Sequence, residues 1–384
     1  MMRLVVFPHN VCWRSRRSPS GYATDGGIVL QIGVLSELFQ ATRVVMLRSL
    51  SEKQIGEMPI VGHNLSVVPL RPLPRTPFWR RISLPFWLSR NGFRIVAEMA
   101  VADAVFALVP GEIGTLVLLA ALTLRKPLLV RYIINWSEPR TFVDRIERKL
   151  LETFAGGRNV ILVTGESEEP PSSKNPNIRW IFSTTLSEKE LAAGTAPRSL
   201  PNTGDLRLIM VARQEIPKGT DVLIRSLALL KGDLAGIRLD VVGDGSALPK
   251  FRKLAQELGL EERIRFHGQV DHAGVLKLLK ETHLYCLPTM GESFGKSVIE
   301  ALGCGLPVVT TRVSVFPRMI GNRCGVVLEQ RTPEQLASAI RHCLSDRDRY
   351  QKMSAEAIAV AQHYSLERWR NTIRAMLDEA WGPL

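Results

Sequence analysis

The chain has 384 residues, 45% of them hydrophobic, which is enough for two globular domains whose cores fold without disulfides or a structural metal. Five cysteines without a Cys-x-x-Cys pair argue against a disulfide framework and against a zinc site, and they favour a reducing compartment. A formal net charge of +13 predicts attraction to an anionic partner, such as nucleic acid, lipid headgroups or a phosphate-bearing substrate.

Neither a signal peptide nor a membrane-spanning segment is expected. The N-terminus has too short an apolar run for a signal peptide, and the longest apolar segment, Ile113 to Leu124, has twelve residues. A helix needs about 20 apolar residues to cross a bilayer. We therefore expect a cytoplasmic chain whose membrane contact is peripheral, at the inner face of the membrane.

Short apolar strands recur through the first half of the chain, with helical patterns between several of them. The predicted strands are Leu4–Phe7, Val44–Leu47, Leu65–Leu70, Ala104–Val109, Leu128–Ile133, Val160–Thr164 and Ile178–Phe182. A polar, basic loop from His9 to Asp25 ends in Gly26 and Gly27, and a helical pattern follows over Ile28–Phe39. This alternation predicts a parallel sheet with right-handed crossovers, with the glycine pair at a strand-loop-helix corner.

The stretch Arg71–Arg94 contains six arginines and no acidic residue. Its aromatic residues are Phe78, Trp79, Phe86, Trp87 and Phe93. Aromatic rings beside cations suit the headgroup boundary of an anionic membrane, where each basic residue contributes about 1 kcal/mol. We predict a reversible peripheral membrane contact; the alternatives are a basic loop folded onto its own domain or a wall of an acceptor groove. Nucleic-acid binding would use the same residue types, but no recognition fold for it is visible, so we predict none.

A segment rich in Pro, Thr, Gly and Ser, Ala192–Asp205, predicts a domain boundary, and the strand-helix pattern restarts after it. The predicted strands here are Leu206–Val211, Ile237–Val242, Ile264–His267, Leu284–Leu287, Pro307–Val309 and Gly325–Leu328. Gly243 and Gly268 directly follow the second and third of them. The sequence therefore predicts an α/β fold with domains at residues 1–195 and 196–365, followed by a C-terminal helix at 366–384.

The stretch Leu284–Thr310 predicts a strand, a glycine-bearing turn and a helix that begins near Gly295. Glu292 lies in the turn and Glu300 in the helix, about 7 to 8 Å along the axis from the helix start. Two carboxylates so placed could hold hydroxyls at both ends of a sugar nucleotide. Its diphosphate would then rest on the N–H groups of Phe294 and Gly295 at the helix start.

The letters GESFGKS within this stretch also look like a phosphate-binding P-loop. That pattern requires four residues between its glycines, whereas Gly291 and Gly295 enclose three and position 290 is Met. A shortened loop could not wrap a phosphate in the same way, so we disfavour a P-loop phosphotransferase. An ordinary strand-to-helix turn with exposed glutamates is the other alternative for this stretch taken by itself.

The run GESFGKSVIEALGCGLPVV resembles the E-x7-E signature of family 4 glycosyltransferases, which are retaining enzymes of the GT-B fold. The resemblance covers Leu206 to about Arg370 well and the first half in outline. It implies two Rossmann-like domains facing a central cleft, with the C-terminal helix crossing back onto the first domain. It also implies a hexosyltransferase that moves a sugar from a nucleotide-diphosphate-sugar donor to a lipid-linked or polysaccharide acceptor, without a cofactor or a metal.

The resemblance assigns roles to individual residues of the second domain. The segment VARQEIPKGTD resembles the family's Arg and Lys-Gly segment, so Arg213 and Lys218 would stabilise the charge on the leaving diphosphate. Glu292 would hold hydroxyls of the donor sugar, and Glu300 would hold those of the nucleotide ribose. Six further residues are expected at the donor: Phe294, Gly295, Gly243, Gly268, Gly26 and Gly27.

The chain departs from the family in its first domain. Many members place a histidine after a late strand of this domain, where this chain reads LLVRYIINW. Arg131 or Asn135 could take over a polar role there, and His9, at the end of the first strand, is a further acceptor-side candidate. The family's Asn-Gly-Val-Asp type turn is replaced by FSTTLSEKE, so no contact is carried over from it.

No metal site is predicted. Asp346-Arg347-Asp348 has the D-x-D letters of metal-dependent transferases of a different fold, but it lies between helical segments far from the signature. The histidines show no ligand spacing. The remaining functional alternatives are a sugar-nucleotide epimerase of the same fold and a non-catalytic binder of nucleotide sugars.

Overall fold

The computed structural model describes residues 2–49, 57–72, 77–136, 141–193, 196–201, 206–230 and 232–384, without the side chains of residues 77–82, 84 and 233. The chain divides into two compact units. The first comprises Met1–Phe182 and Leu366–Leu384, and the second comprises Ser183–Ser365.

The first unit is built on a ten-stranded sheet. Its strands are β1 (Arg3–Phe7), β2 (Val11–Arg14), β3 (Tyr22–Thr24), β4 (Ala41–Arg48), β5 (Met58–Pro59), β6 (Leu65–Leu70), β7 (Ala104–Val109), β8 (Leu128–Tyr132), β9 (Asn159–Thr164) and β10 (Ile178–Ile181). They are ordered β10-β9-β8-β7-β1-β4-β2-β3-β5, and β6 also pairs with β4. All pairs are parallel except the two that involve β3.

Helices cover both faces of this sheet. They include α1 (Ile28–Ser36), α2 (Pro77–Val101), α3 (Glu112–Thr123) and α4 (Phe142–Phe154). Because successive side chains of a strand point to opposite faces, Leu4 and Val5 of β1 belong to different cores. Val5 shares its core with buried residues of α2, α3 and α4, so these three helices lie on one face, and α1 lies on the other with Leu4.

The second unit has a six-stranded, wholly parallel sheet. Its strands are β11 (Arg207–Val211), β12 (Arg238–Val242), β13 (Ile264–Gly268), β14 (Leu284–Leu287), β15 (Val308–Thr311) and β16 (Gly325–Leu328). Its helices are α5 (Glu188–Ala192), α6 (Thr220–Leu229), α7 (Leu248–Glu257), α8 (His272–Glu281), α9 (Lys296–Gly303), α10 (Phe316–Ile320), α11 (Pro333–Leu344) and α12 (Arg347–Ala361). The strand order is β13-β12-β11-β14-β15-β16.

The last helix, α13 (Leu366–Trp381), belongs to the first unit. Its Trp369, Ile373 and Leu377 are buried in the core that contains Leu4 and residues of α1. Near the end of α13, the indole nitrogen of Trp381 donates to the Arg158 carbonyl oxygen at 2.8 Å. The prediction that the C-terminal helix returns to the first domain is confirmed.

The predicted α/β fold class is confirmed, since both units are parallel-sheet α/β structures. Two details differ from the sequence-based expectation. The run His9–Asp25 was predicted to be a loop but contains β2 and β3, because Cys12 and Trp13 are buried against the sheet. We placed the domain boundary at 195/196, whereas the two compact units divide between Phe182 and Ser183.

Candidate functional site

Two loops of the second unit leave adjacent parallel strands at the same edge of the sheet. β11 and β14 are neighbours at the point where the strand order reverses, and ligands of open α/β sheets bind at such a switch point. The loop after β11 contains Arg213 and a 3-10 turn, Ile216–Lys218, before α6 begins. The loop after β14 contains Glu292 before α9 begins. The topology therefore brings three predicted site residues to one edge of one sheet.

An ion pair joins the two loops. The Lys218 ammonium lies 2.6 Å from Oε2 of Glu292 and also donates to the Gly291 carbonyl oxygen at 3.3 Å. The other carboxylate oxygen of Glu292, Oε1, accepts from the backbone N–H of Ser293 at 3.2 Å. Both side chains are only partly exposed, so the pair is shielded from bulk water but remains reachable by a ligand. Two residues predicted from separate motifs are thus direct partners.

Backbone contacts hold the same two loops together. Gly219 adopts a positive φ of 87°, and a Cβ atom at this position would lie 2.1 Å from the Pro288 carbonyl oxygen, so only glycine fits. The Met290 N–H donates to the Pro217 carbonyl oxygen at 2.7 Å. From the segment between β16 and α11, Nε of Arg331 donates to the Pro288 carbonyl oxygen at 2.6 Å. The positions of Lys218 and Glu292 are therefore set by a connected backbone.

Gln214, which the sequence analysis did not single out, is a buried support for this edge. Its amide nitrogen donates to the carbonyl oxygens of Ala212 and Val242, at 2.8 and 3.1 Å. Its amide oxygen accepts from the Thr220 hydroxyl at 2.8 Å. The side chain thereby ties the end of β11 to the end of β12 and to the start of α6. The sequence analysis considered the charged residues of this loop, Arg213 and Lys218. The neutral Gln214 between them makes the hydrogen bonds that join the strand ends.

The predicted glycines of this unit differ in what they do. Gly243 has a positive φ of 115°, and a Cβ atom there would lie 2.0 Å from the Ala212 carbonyl oxygen, so it permits two strand ends to approach. Gly295 precedes α9 with a φ of 82°, and a Cβ atom there would meet the Phe316 ring at 2.5 Å. Gly268 also has a positive φ but faces open space. Phe294 is buried, with its ring edge-to-face with Tyr364.

Glu300 lies inside α9 and is buried. Its Oε1 accepts from the Thr185 hydroxyl at 2.6 Å, and Nδ1 of His272 lies 3.4 Å from the same oxygen. On its other side, Nε2 of His272 lies 3.4 Å from Oε1 of Glu190. The imidazole therefore sits between two carboxylates at ion-pair distance.

The charges of this cluster shift the pKa values of its members. Burial lowers the pKa of His272, but Glu190 and Glu300 outweigh it and raise the pKa to about 10. The His272 side chain in turn lowers the pKa of Glu190 to about 2, against a smaller opposing effect of burial. We therefore assign a protonated His272 at neutral pH, at ion-pair distance from Glu190 and Glu300.

Thr185, Glu190 and His272 were not predicted as site residues. Thr185 and Glu190 lie in FSTTLSEKE, from which no contact was carried over. One signal was available: Ser187 and Glu190 have the spacing of a capping box, and the structure has both of its hydrogen bonds at the start of α5. Arg213, in the same loop as Lys218, is exposed, and its guanidinium has no hydrogen-bond or ion-pair partner among the described residues.

The acceptor-side candidates of the first unit lie in different environments. Arg131 is only 3% exposed: its guanidinium donates to Gln31 at 2.5 Å and to Thr164 at 3.1 Å, and lies 5.7 Å from the Trp369 ring centre. Burial among these neutral partners lowers the pKa of Arg131 to about 10. His9 is exposed just after β1, and Asn135 is half-buried after β8.

The predicted glycine corner of the first unit follows β3 and precedes α1. Gly26 has a positive φ of 84°, and Gly27 is the N-cap residue of α1 with a φ of −72°. The Asn10 amide nitrogen donates to the Asp25 carbonyl oxygen at 2.8 Å, which fixes the corner against the end of β1. The predicted strand-loop-helix corner is present, with β3 rather than β1 as its immediate strand.

The basic aromatic stretch is partly within the described residues. Most of it lies in α2, where Phe86 is exposed, Phe93 is 85% exposed, and the Arg90 guanidinium lies 3.9 Å from the Phe86 ring centre. Trp87 is buried and donates to the Arg71 carbonyl oxygen at 2.7 Å, so the prediction that it enters a membrane is wrong. The side chains of Phe78, Trp79, Arg80 and Arg81 lie outside the described residues, as does the whole of residues 73–76.

Two searches of the described residues concern membranes and metals. None of the described helices combines the length and apolarity that crossing a bilayer requires. In the same part of the chain, no three His, Cys, Asp or Glu side chains are grouped so that they could hold a metal ion.

Comparison with known proteins identifies a family model that matches the second unit and curated relatives that match a larger part of the chain. Residues 195–360 match the family model described as "Glycosyl transferases group 1". The chain is 28% identical over 242 residues to D-inositol 3-phosphate glycosyltransferase of Mycobacterium bovis, a match that covers 61% of this chain and 48% of that protein. The chain thus spans about half the length of the curated relatives it matches.

Solved structures are similar over nearly the whole chain. HepE of Anabaena, in complex with UDP and glucose, has a TM-score of 0.72 at 17% identity, covering 99% of this chain and 100% of that one. WaaG, a glycosyltransferase involved in lipopolysaccharide biosynthesis, has a TM-score of 0.65 at 17% identity with the same coverage. These likenesses show the GT-B fold. The predicted resemblance is confirmed to this extent: the chain has that fold, and its second unit matches a glycosyltransferase family model.

Proposed function

We propose that the protein is a retaining glycosyltransferase, a hexosyltransferase that moves a sugar from a nucleotide-diphosphate sugar to a lipid-linked or polysaccharide acceptor. The observation that carries this proposal is the Lys218–Glu292 pair at the strand-order reversal of the second sheet. An ammonium and a carboxylate 2.6 Å apart suit a substrate that is anionic at one end and rich in hydroxyls at the other. A sugar diphosphate has this composition.

The donor-binding roles follow from charge and position. The Lys218 ammonium and the exposed guanidinium of Arg213 bind the diphosphate, whose charge grows as the glycosidic bond breaks. The backbone at Phe294 and Gly295, where α9 begins, supports the same group. Glu292 accepts hydrogen bonds from hydroxyls of the donor sugar, and Glu300, whose Oε1 is held by Thr185 and His272, accepts from the ribose.

The reaction we propose needs no cofactor or metal. The bond from the anomeric carbon to the phosphate oxygen breaks, and a bond from that carbon to the acceptor hydroxyl oxygen forms on the same face. The acceptor proton passes to the departing phosphate oxygen. The protein contributes positioning and neutralisation of charge, which account for most of the barrier reduction in such a transfer.

Uridine diphosphate sugars are the first donors to test. HepE of Anabaena is similar in fold and was solved with UDP and with UDP-glucose, and a pneumococcal O-GlcNAc transferase similar in fold was solved with UDP and GlcNAc. WaaG acts in lipopolysaccharide biosynthesis, which supports a lipid-linked acceptor for this chain as well. Such an acceptor would bring the protein to the cytoplasmic face of a membrane.

Substitution of the ion pair tests the proposal. We expect Lys218→Gln and Glu292→Gln each to lower kcat by about 10²- to 10³-fold, because each removes a group that stabilises developing charge or positions the sugar. The affinity for UDP, measured by calorimetry, should fall by less. Lys253→Gln is the matched control, since Lys253 forms an exposed ion pair with Glu257 on α7 and should leave kcat unchanged.

Other outcomes would identify the alternatives. If the unmodified chain turns over no donor and the substitutions only lower the affinity for UDP, the protein is a binder rather than an enzyme. Turnover of the donor without an acceptor would indicate an epimerase. Turnover that needs magnesium and a nucleoside triphosphate would indicate a phosphotransferase.

A further inference from the structure

Helix α4 turns its acidic side chains inward and its large apolar side chains outward. Asp144 and Glu147 are buried, together with Leu151. The outward residues are Phe142 (74% exposed), Val143 (56%), Ile146 (45%) and Phe154 (44%). A surface helix of a globular protein normally has the opposite arrangement, so these apolar side chains lack the burial that would explain them.

The inward contacts fix this orientation. The Asp144 N–H donates to the Thr141 hydroxyl at 3.1 Å, and the Thr141 N–H donates to Oδ2 of Asp144 at 2.9 Å, a complete capping box. Glu147 accepts from the Thr115 hydroxyl on α3, and its burial raises the pKa of its carboxyl. Rotation of α4 to hide its apolar face would break the hydrogen bond between Thr115 and Glu147, which links the helix to α3.

A basic groove runs along the same helix. A cavity of about 670 Å³ is lined by Arg145, Arg148, Lys149, Glu152, Thr153 and Lys174. Glu152 is the single acid of this lining, and Arg148 and Lys174 both lie within ion-pair distance of it. Arg145 and Lys149 are exposed and have no ion-pair partner among the described residues. The groove therefore keeps a net positive charge beside the apolar side chains.

The neighbouring helices continue this surface. α2, α3 and α4 cover the same face of the first sheet, and they expose Phe86, Phe93 and Val96 from α2 and Leu119 from α3. Most of the large apolar side chains that the described residues leave exposed lie on these three helices. A single layer thus combines unburied rings and aliphatic groups with unpaired cations.

We infer that the outward face of α4 is a docking surface for an anionic lipid bilayer. Phe142, Val143 and Ile146 enter the headgroup boundary, while Arg145 and Lys149 contact lipid phosphates, the combination that interfacial helices use. A second copy of the chain fits less well, because a two-fold contact through this face would bring the same unpaired cations against each other. The inference does not depend on transferase activity, and it places the principal contact outside the stretch Arg71–Arg94.

Vesicle flotation of the 384-residue chain tests the inference. The probes are vesicles of phosphatidylcholine alone and vesicles that also contain phosphatidylglycerol. We expect binding to the anionic vesicles only, weakened about tenfold or more by Phe142→Ser with Ile146→Ser. Arg145→Glu with Lys149→Glu should also weaken binding about tenfold or more. Each cation near an anionic surface contributes about 1 kcal/mol, and a loss of about 1.4 kcal/mol is tenfold in affinity. The two introduced carboxylates also repel the lipid phosphates. Leu229→Ser with Leu258→Ser, exposed residues of the second unit, is the matched control and should bind unchanged.

Each contrary result would overturn the inference. Equal binding by the unmodified chain and both α4 variants would place any membrane contact elsewhere, and no binding by the unmodified chain would remove it. If ultracentrifugation shows a dimer that Phe142→Ser with Ile146→Ser converts to a monomer, the face is an interface between copies. Equal melting temperatures of all variants exclude a folding defect, which is expected because every substituted side chain is exposed.

Discussion

At the residue scale, the candidate site depends on carboxylates that the protein itself has already oriented. Glu300 is buried in α9, where the Thr185 hydroxyl donates to Oε1 of its carboxyl group and His272 lies at ion-pair distance from the same oxygen. Glu190 holds the far side of the imidazole. Under the proposed role of Glu300 in holding a ribose, a carboxylate fixed in this way would lose little conformational freedom on binding.

The His272 cluster predicts a pH dependence of stability. The pKa of His272 is about 10 in the folded chain and 6.5 in the unfolded chain, so its stabilisation is complete below pH 6.5 and is lost as the pH rises through about 10. At pH 6 we expect His272→Gln to lower the free energy of unfolding by about 2 kcal/mol, less than the pKa shift implies because solvent screens Glu190.

Urea unfolding at pH 6 and pH 10 measures this effect. The difference between the two proteins should be small at pH 10, because the unfolded chain has then lost the proton and the folded chain is near its own pKa for His272. His342→Gln, at an exposed histidine of α11, is the control for replacing a histidine and should lower the free energy of unfolding by less than His272→Gln at pH 6. A pH-independent loss in His272→Gln would mean that packing, not charge, explains it.

Sequence motifs identified the charged residues of the candidate site but not the residues that contact them. Lys218, Glu292 and Glu300 lie in patterns with a chemical rationale, and the structure joins the first two directly. Thr185 and Glu300 are 115 positions apart, and no local pattern in either segment refers to the other. Gln214 could not be identified from the sequence, because its amide nitrogen donates to carbonyl oxygens at the ends of two different strands. Only the folded sheet brings these two oxygens together.

At the element scale, strong apolar runs were predicted well and short polar ones were not. The bounds of β6, β7, β14 and β16 agree with the patterns read from the sequence, and α13 begins at the predicted residue. The strands β2 and β3 were not predicted, because β2 is only four residues long and basic residues follow it. Cys12 and Trp13 become buried only when β2 pairs with β4 and β3. Tertiary pairing overrides local composition at such short strands.

The returning helix α13 completes the core of the first unit, and its removal should be costly. Trp369 is fully buried there, beside the Arg131 guanidinium. We expect Trp369→Ala to lower the free energy of unfolding by about 3 to 5 kcal/mol, since it leaves a cavity and exposes a buried cation. Arg374→Ala, an exposed position on the same helix, should change it by about 0.5 kcal/mol or less. Chemical denaturation measures both, and similar stabilities would mean that α13 does not close this core.

At the scale of the whole molecule, charge and chemistry are distributed between two units with separate cores. The first unit holds the apolar and basic face of α4, and the second holds the Lys218–Glu292 pair. The family model matches residues 195–360 of the second unit, whereas the strand LLVRYIINW, which departs from the family pattern, lies in the first unit. Donor recognition is therefore expected to be readable from sequence, and the acceptor side is not.

This division predicts where a donor nucleotide protects the backbone. In hydrogen exchange measured by mass spectrometry, UDP should slow exchange most in the loops after β11 and β14, because these carry Lys218 and Glu292 and are joined by backbone hydrogen bonds. At a hundred times its dissociation constant, UDP stabilises the folded chain by about 2.7 kcal/mol, a gain large enough to detect. Lys218→Gln should reduce the protection at the same nucleotide concentration, whereas Lys253→Gln should retain it. Protection that avoids both loops would remove the switch point of the second sheet as the donor site, whatever activity the chain has.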